Sequence, residues 1–201
     1  ETQNSEQIEY IASRKQRHPN TYDLPDITGP ALFSATSASA ESWEWTFAGM
    51  VVDFPANGGL AVKHGSAEIA VFYLPGQAEG DGRWLACQNI CPHKQVRAIS
   101  RGLLGVKPDG QITLADPVYK STYDLRSGSG ISHADLNLST FPAREEGGKV
   151  LVRLPPAGEL AAAFEKQAKD AAEKVGFAPP ARGGHAETKT APKAKTDVLD
   201  W

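Results

Sequence analysis

An all-β fold, a sandwich or barrel of short strands, is what the amino-acid sequence predicts, and three observations predict it. Turn-forming residues are dense, with 19 glycines and 14 prolines in 201 residues, above the usual combined share of about 12%. Short apolar runs recur between residues 43 and 155, and turn signals separate them. Hydrophobic residues make up 40% of the chain and charged residues 22%, a balance that packs a core and excludes full disorder.

The strands follow in order. Trp45–Val52, Leu60–Lys63, Glu68–Leu74 and Arg83–Gln88 are each predicted to be extended, and Gln111–Ala115, Ser121–Leu125, Asn137–Phe141 and Lys149–Leu154 continue the series. Asn57-Gly58-Gly59, Gly80-Asp81-Gly82, Asp109-Gly110 and Gly147-Gly148 mark the turns, because such pairs adopt the positive φ of tight hairpins. At least eight short strands at this spacing predict a sandwich or barrel spanning residues 43–156.

Both flanks differ in texture. Residues 1–42 read as an N-terminal extension, with a short helix over Ser5–Arg17 that carries Ile8 and Ile11 on one side and Arg14, Lys15 and Arg17 near its end. His18-Pro19-Asn20 stops it, Leu24–Pro30 reads as turns, and Ser34–Ser42 reads as a linker or an arm lying on another surface. Residues 157–176 form a predicted helix with Leu160, Phe164, Ala168, Ala171, Ala172 and Val175 near one face and Gly176 as its cap. Residues 177–201 have the composition of a flexible tail and finish on Leu199-Asp200-Trp201. Arg14, Lys15 and Arg17 could steer the chain toward an acidic partner, and Leu199 and Trp201 could anchor it. A solvated helix end and a frayed terminus are the plainer readings of the same residues.

Net charge and cysteine count exclude several classes. A formal charge of −3 argues against a dedicated nucleic-acid binder. Two cysteines exclude a disulfide scaffold and a site of four thiolates. The longest strongly apolar run, Ile69–Leu74, is far short of the roughly 20 residues of a membrane span, so the chain is expected to be soluble. It opens on Glu1 without methionine, which suggests a leader or transit segment already removed.

Metal-capable side chains concentrate in Cys87-Gln88-Asn89-Ile90-Cys91-Pro92-His93-Lys94. A thiol and an imidazole two residues apart on a turn can point at one place. Cys87 is expected on the strand, and a Cys87–Cys91 disulfide is disfavoured by the distance between strand residues four apart. His64 and His133 are expected at the surface. Trp43, Trp45 and Trp84 are expected in the core or at a sheet edge.

Cys91-Pro92-His93 resembles the first half of a Rieske motif. Pro117, Tyr123, Leu125 and Gly128 fall in register with the second half, while Asp116 and Tyr119 stand where its cysteine and histidine belong. The long gap 94–115 with Gly102-Leu103-Leu104-Gly105 inside it, and the closing Phe141-Pro142, Gly148-Lys149-Val150 and Leu154-Pro155-Pro156, look like the Rieske-like domain of assimilatory nitrite reductases. The resemblance covers roughly residues 45–156 and implies a Rieske-like antiparallel β-sandwich with an N-terminal arm, a C-terminal helix and a tail.

A Rieske [2Fe–2S] centre takes two cysteines and two histidines, and the positions Cys91, His93, Asp116 and Tyr119 supply one of each. The expectation is therefore a degenerate site without a cofactor, with Cys91 half-buried and His93 hydrogen-bonded to backbone. The alternatives are a [2Fe–2S] cluster with substituted ligands or a single metal ion held through Cys91 and His93, with Asp116 as a third donor. The family includes cluster-free members among nitrite reductase small subunits and thylakoid proteins. The expected function is thus a non-catalytic docking subunit of a larger redox or photosynthetic complex, in a plastid or the cytoplasm. The alternative is an electron-transfer subunit of the nitrite reductase kind.

Overall fold

A computed structural model describes residues 24–76 and 83–176. Among the described residues ten strands and one α-helix succeed one another: β1 (Glu44–Met50), β2 (Gly58–His64), β3 (Ala67–Leu74), β4 (Arg83–Gln88), β5 (Leu103–Val106), β6 (Ile112–Ala115), β7 (Thr122–Asp124), β8 (Thr140–Phe141), β9 (Ala143–Glu146), β10 (Lys149–Leu154) and α1 (Ala157–Lys174). Three sheets form, in the orders β1-β10-β9, β2-β3-β4-β8 and β5-β6-β7. Every ladder between these strands is antiparallel, so the predicted antiparallel β class with one C-terminal helix is what the chain adopts.

The four-stranded sheet lies in the middle because β3 is apolar on both faces. Ile69 and Val71 enter one core with Trp84, Phe141, Val150, Val152, Leu160 and Phe164. Ala70, Phe72 and Leu74 enter a second with Cys87, Ile99, Ile112, Leu114, Tyr123 and Leu138. Successive side chains alternate in direction along a strand, so a single continuous apolar run serves both. Trp84 belongs to the first core, stacked on Tyr73 at 4.4 Å, while Trp45 lies at the sheet edge beneath the Arg144 and Arg153 guanidiniums.

Two strands had no sequence signal. β5 exposes Leu103 and Val106 and contains Gly105, and β9 is the charged edge Ala-Arg-Glu-Glu; neither shows the alternation that marks a half-buried strand. In α1, Leu160, Phe164 and Ala171 are buried as expected. Val175 is exposed beyond the helix end, and Gly176 takes a φ of 65°.

Before β1, Phe33 and Ala35 lie against β8 of the domain's own sheet. Phe33 packs against Trp43, Phe141 and Phe164 at 5.7–6.0 Å, its carbonyl accepts from the Thr140 amide, and the Ala35 amide donates to Thr140 Oγ1. Ala38–Ser42 then turns as a 3-10 helix. The stretch Ser34–Ser42, for which the sequence leaves a linker or an arm on another surface open, follows Phe33 and begins against Thr140 of the domain itself.

Candidate functional site at the paired loops

β4 runs directly into the first loop. Its hairpin is closed by the Ile90–Arg97 bridge and by the Cys91 amide donating to the Val96 carbonyl at 2.8 Å. Lys94 and Gln95 take positive φ values of 59° and 53°, the left-handed geometry of a tight reversal. The second loop leaves β6 at Asp116. The Asp116 amide donates to the Ser121 carbonyl, and its Oδ1 accepts from the Val118 and Tyr119 amides at 2.6 and 3.0 Å. An aspartate that caps its own turn in this way holds the loop's reversal through two side-chain bonds.

The two loops meet at two levels. Near the surface the His93 ring stands edge-on to Tyr119, with centroids 4.3 Å apart. Beneath them Cys91 Sγ lies 3.7 Å from the Tyr123 hydroxyl, and Cys91, Asp116 and Tyr123 are all fully buried. Burial, and then the adjacent Asp116 carboxyl, push the Cys91 thiol up to about 12. Burial likewise raises Tyr123, with Cys91 adding to it. Asp116 Oδ2 is buried with no hydrogen-bond partner among the described residues.

The structure therefore gathers the four positions Cys91, His93, Asp116 and Tyr119 into one place. Two details differ from expectation. Cys91 is wholly buried rather than half-buried, because the sulfur belongs to the second core. His93 bonds a side chain and not backbone: its Nδ1 lies 3.0 Å from Asp26 Oδ2. Asp26, Lys94, Gln95 and Tyr123 escaped sequence reasoning, and only the register of Tyr123 hinted at a role. Cys87 sits on β4 as a free, buried thiol, and Cys91 is also free. His133 is exposed. His64 is half-buried, with Nε2 2.9 Å from the Pro155 carbonyl, because β2 runs beside the start of α1. Arg14, Lys15, Arg17, Leu199 and Trp201 lie outside the described residues.

A ten-stranded antiparallel fold whose two loops converge on a Cys-x-His turn is of the Rieske class. The chain belongs to the Rieske-like [2Fe-2S] domain family, whose profile matches residues 44–153, more than half its length. It is 29% identical over 164 residues to a nitrite reductase [NAD(P)H] of Emericella nidulans, an alignment covering 77% of this chain and 14% of that protein. It is also 34% identical over 76 residues to the ferredoxin component of the alkene monooxygenase system of Xanthobacter autotrophicus, covering 38% of this chain and 58% of the relative. Among solved structures, a Mycobacterium tuberculosis protein described as an NADH-dependent nitrite reductase small subunit superposes with a TM-score of 0.50 at 24% identity, over 56% of this chain and 96% of that one. The chain thus spans about one-seventh of the fungal nitrite reductase it matches.

The expectation of no cofactor is corrected by these relationships. A family defined by a [2Fe–2S] domain, with a ferredoxin component among the relatives, points to a 2Fe–2S cluster as the group this domain carries. The donors of this chain do not fit the ordinary Rieske ligand set. Asp116 and Tyr119 stand in two of the four positions, His93 Nδ1 is taken by Asp26, and Asp116 Oδ1 is taken by two amides. Two thiolates and two imidazoles are not assembled, and no group of three or more His, Cys, Asp and Glu side chains positioned for a metal occurs among the described residues.

Proposed function

We propose that the chain is the Rieske-type component of a nitrite-reductase-like oxidoreductase and that it meets a larger redox subunit through its paired-loop end. The observation that carries this reading is the convergence of the 91–95 and 116–121 loops within a domain matched to the family over 44–153. Val118 stands out from the second loop, exposed, as an apolar contact suited to a partner. On this reading residues 43–156 form the working domain, residues 157–176 a bracing helix, and residues 1–42 and 177–201 the extensions.

The family relationship favours electron transfer as the service performed at that end. The docking role without catalysis, expected from the sequence, rests on the donor set alone and is the weaker reading. Iron and acid-labile sulfide assays with paramagnetic resonance on anaerobically purified protein separate the two. Electron transfer requires about two iron and two sulfide per chain and a rhombic reduced signal. Native capture from the source cell, with His93→Ala/Tyr119→Ala beside the unaltered chain, tests the docking face. Association with a flavin- and sirohaem-bearing subunit that the double variant loses supports the proposal, and association that survives the double variant moves the contact elsewhere. Co-purification with a photosynthetic complex instead would place the chain in a plastid.

A further inference from the structure

The first loop already holds an extended peptide, and that peptide is the chain's own residues 25–27. The Ile27 amide donates to the Pro92 carbonyl at 2.8 Å, and Gln95 Nε2 donates to the Pro25 carbonyl at 3.1 Å. Between these main-chain bonds the Asp26 carboxylate is surrounded. His93 Nδ1 lies 3.0 Å from Oδ2, while Lys94 Nζ and the Lys94 amide both lie 3.3 Å from Oδ1. Lys94 and Gln95, with consecutive positive φ, turn the loop's amide toward the anion. Burial acts to raise the Asp26 carboxyl, yet His93 and Lys94 outweigh it and hold it below the ordinary value.

This is a recognition pattern as much as a packing contact. Bonds to backbone fix the segment, one carboxylate is read by an ammonium, an imidazole and an amide, and Ile27 is buried beside it. Clefts border the strap on two sides. A cleft of about 210 Å³ bordered by Leu24, Ile90, Gln95 and Phe164 lies on one side. Another of about 180 Å³ lies between Ile27, Pro30, Leu32 and the end of α1.

We infer that the 91–95 loop is a binding site for an extended acidic peptide, occupied here by the strap Pro25-Asp26-Ile27 and open to an acidic segment of the larger subunit when the strap leaves. The inference rests on the docking reading above and names the partner's chemistry at that face. Binding the partner segment would exchange one carboxylate for another at the same three donors. The tethered strap holds the advantage of effective concentration, so the partner segment must add contacts of its own to displace it.

The test uses the full chain and a labelled synthetic peptide of residues 22–30, Tyr-Asp-Leu-Pro-Asp-Ile-Thr-Gly-Pro. Asp26→Lys in the chain sets two cations against each other and should free the strap. Peptide affinity by fluorescence anisotropy should then rise at least tenfold over the unaltered chain. Adding Lys94→Glu restores opposite charges and should return the affinity to the starting level, and a peptide carrying Asn in place of its second Asp should bind poorly throughout. Equal peptide affinity in all three chains overturns the inference. Where Asp26→Lys unfolds the domain, Asp26→Asn is read by hydrogen exchange: faster exchange of the Ile27 amide with unchanged β3 and β10 amides supports a releasable strap. Loss of protection only together with β3 and β10 makes residues 25–27 a fixed part of the core and overturns it. Neither measurement needs the larger subunit, so failure here leaves the docking reading to its own experiment.

Discussion

Asp116 shows how one side chain can hold a loop together. Its Oδ1 accepts from two amides of the turn, and its carboxyl sits beside a thiol already raised by burial. Asp116→Ala removes both bonds and should destabilise the domain by about 2–3 kcal/mol, seen as a fall in urea midpoint. Asp116→Asn keeps an acceptor and should lose less than half as much. In the Asn variant the Cys91 thiol should also ionise at lower pH than in the parent, because the carboxyl that opposes the thiolate is gone.

At the scale of elements, the turn after β7 and the packing of α1 carry the clearest expectations. Asp124 Oδ1 accepts from the Arg126 and Ser127 amides, and Gly128 follows with φ 79°. A Cβ at Gly128 would run into the Leu138 carbonyl, so Gly128→Ala combines a left-handed strain with a clash against backbone. It should destabilise by more than about 3 kcal/mol, and calorimetry should show a transition lowered by roughly 10 °C or more. Leu160 is fully buried in the first core against Phe164 and the strands. Leu160→Ala should remove about 3 kcal/mol through the cavity it leaves, and labelling of the buried Cys91 thiol should quicken with the more frequent opening.

For the whole molecule, the second core gathers groups that resist ionisation. Cys87 is raised by burial alone, Cys91 reaches about 12, and Tyr123 is raised too. Each folded group keeps its proton above the pH at which the unfolded chain loses it, starting near 9.0 for the thiols. The unfolded state therefore binds fewer protons there, and stability falls as pH rises, by about 1.4 kcal/mol per pH unit for each group. Urea midpoints should be flat from about pH 7 to 8.5 and drop steeply from about pH 9 to 10.5. Native Cys87 and Cys91 should react with Ellman's reagent only at the rate of unfolding.

The sequence by itself determined the strands that bury a face, because alternation and glycine turns are local properties. Arg83–Gln88 and Lys149–Leu154 were read with their observed bounds. It also determined the family, through Cys91-Pro92-His93 and the landmarks Pro117, Tyr123, Leu125 and Gly128. Tertiary structure alone decided the rest. β5 and β9 pair by position at a sheet edge rather than by pattern. Cys91 is buried because β4 and β6 bring two loops over it. Asp26 reaches His93 across a long stretch of sequence, a contact that no local periodicity encodes, because it joins the strap to a loop turned through Lys94 and Gln95 that only the folded chain brings beside it.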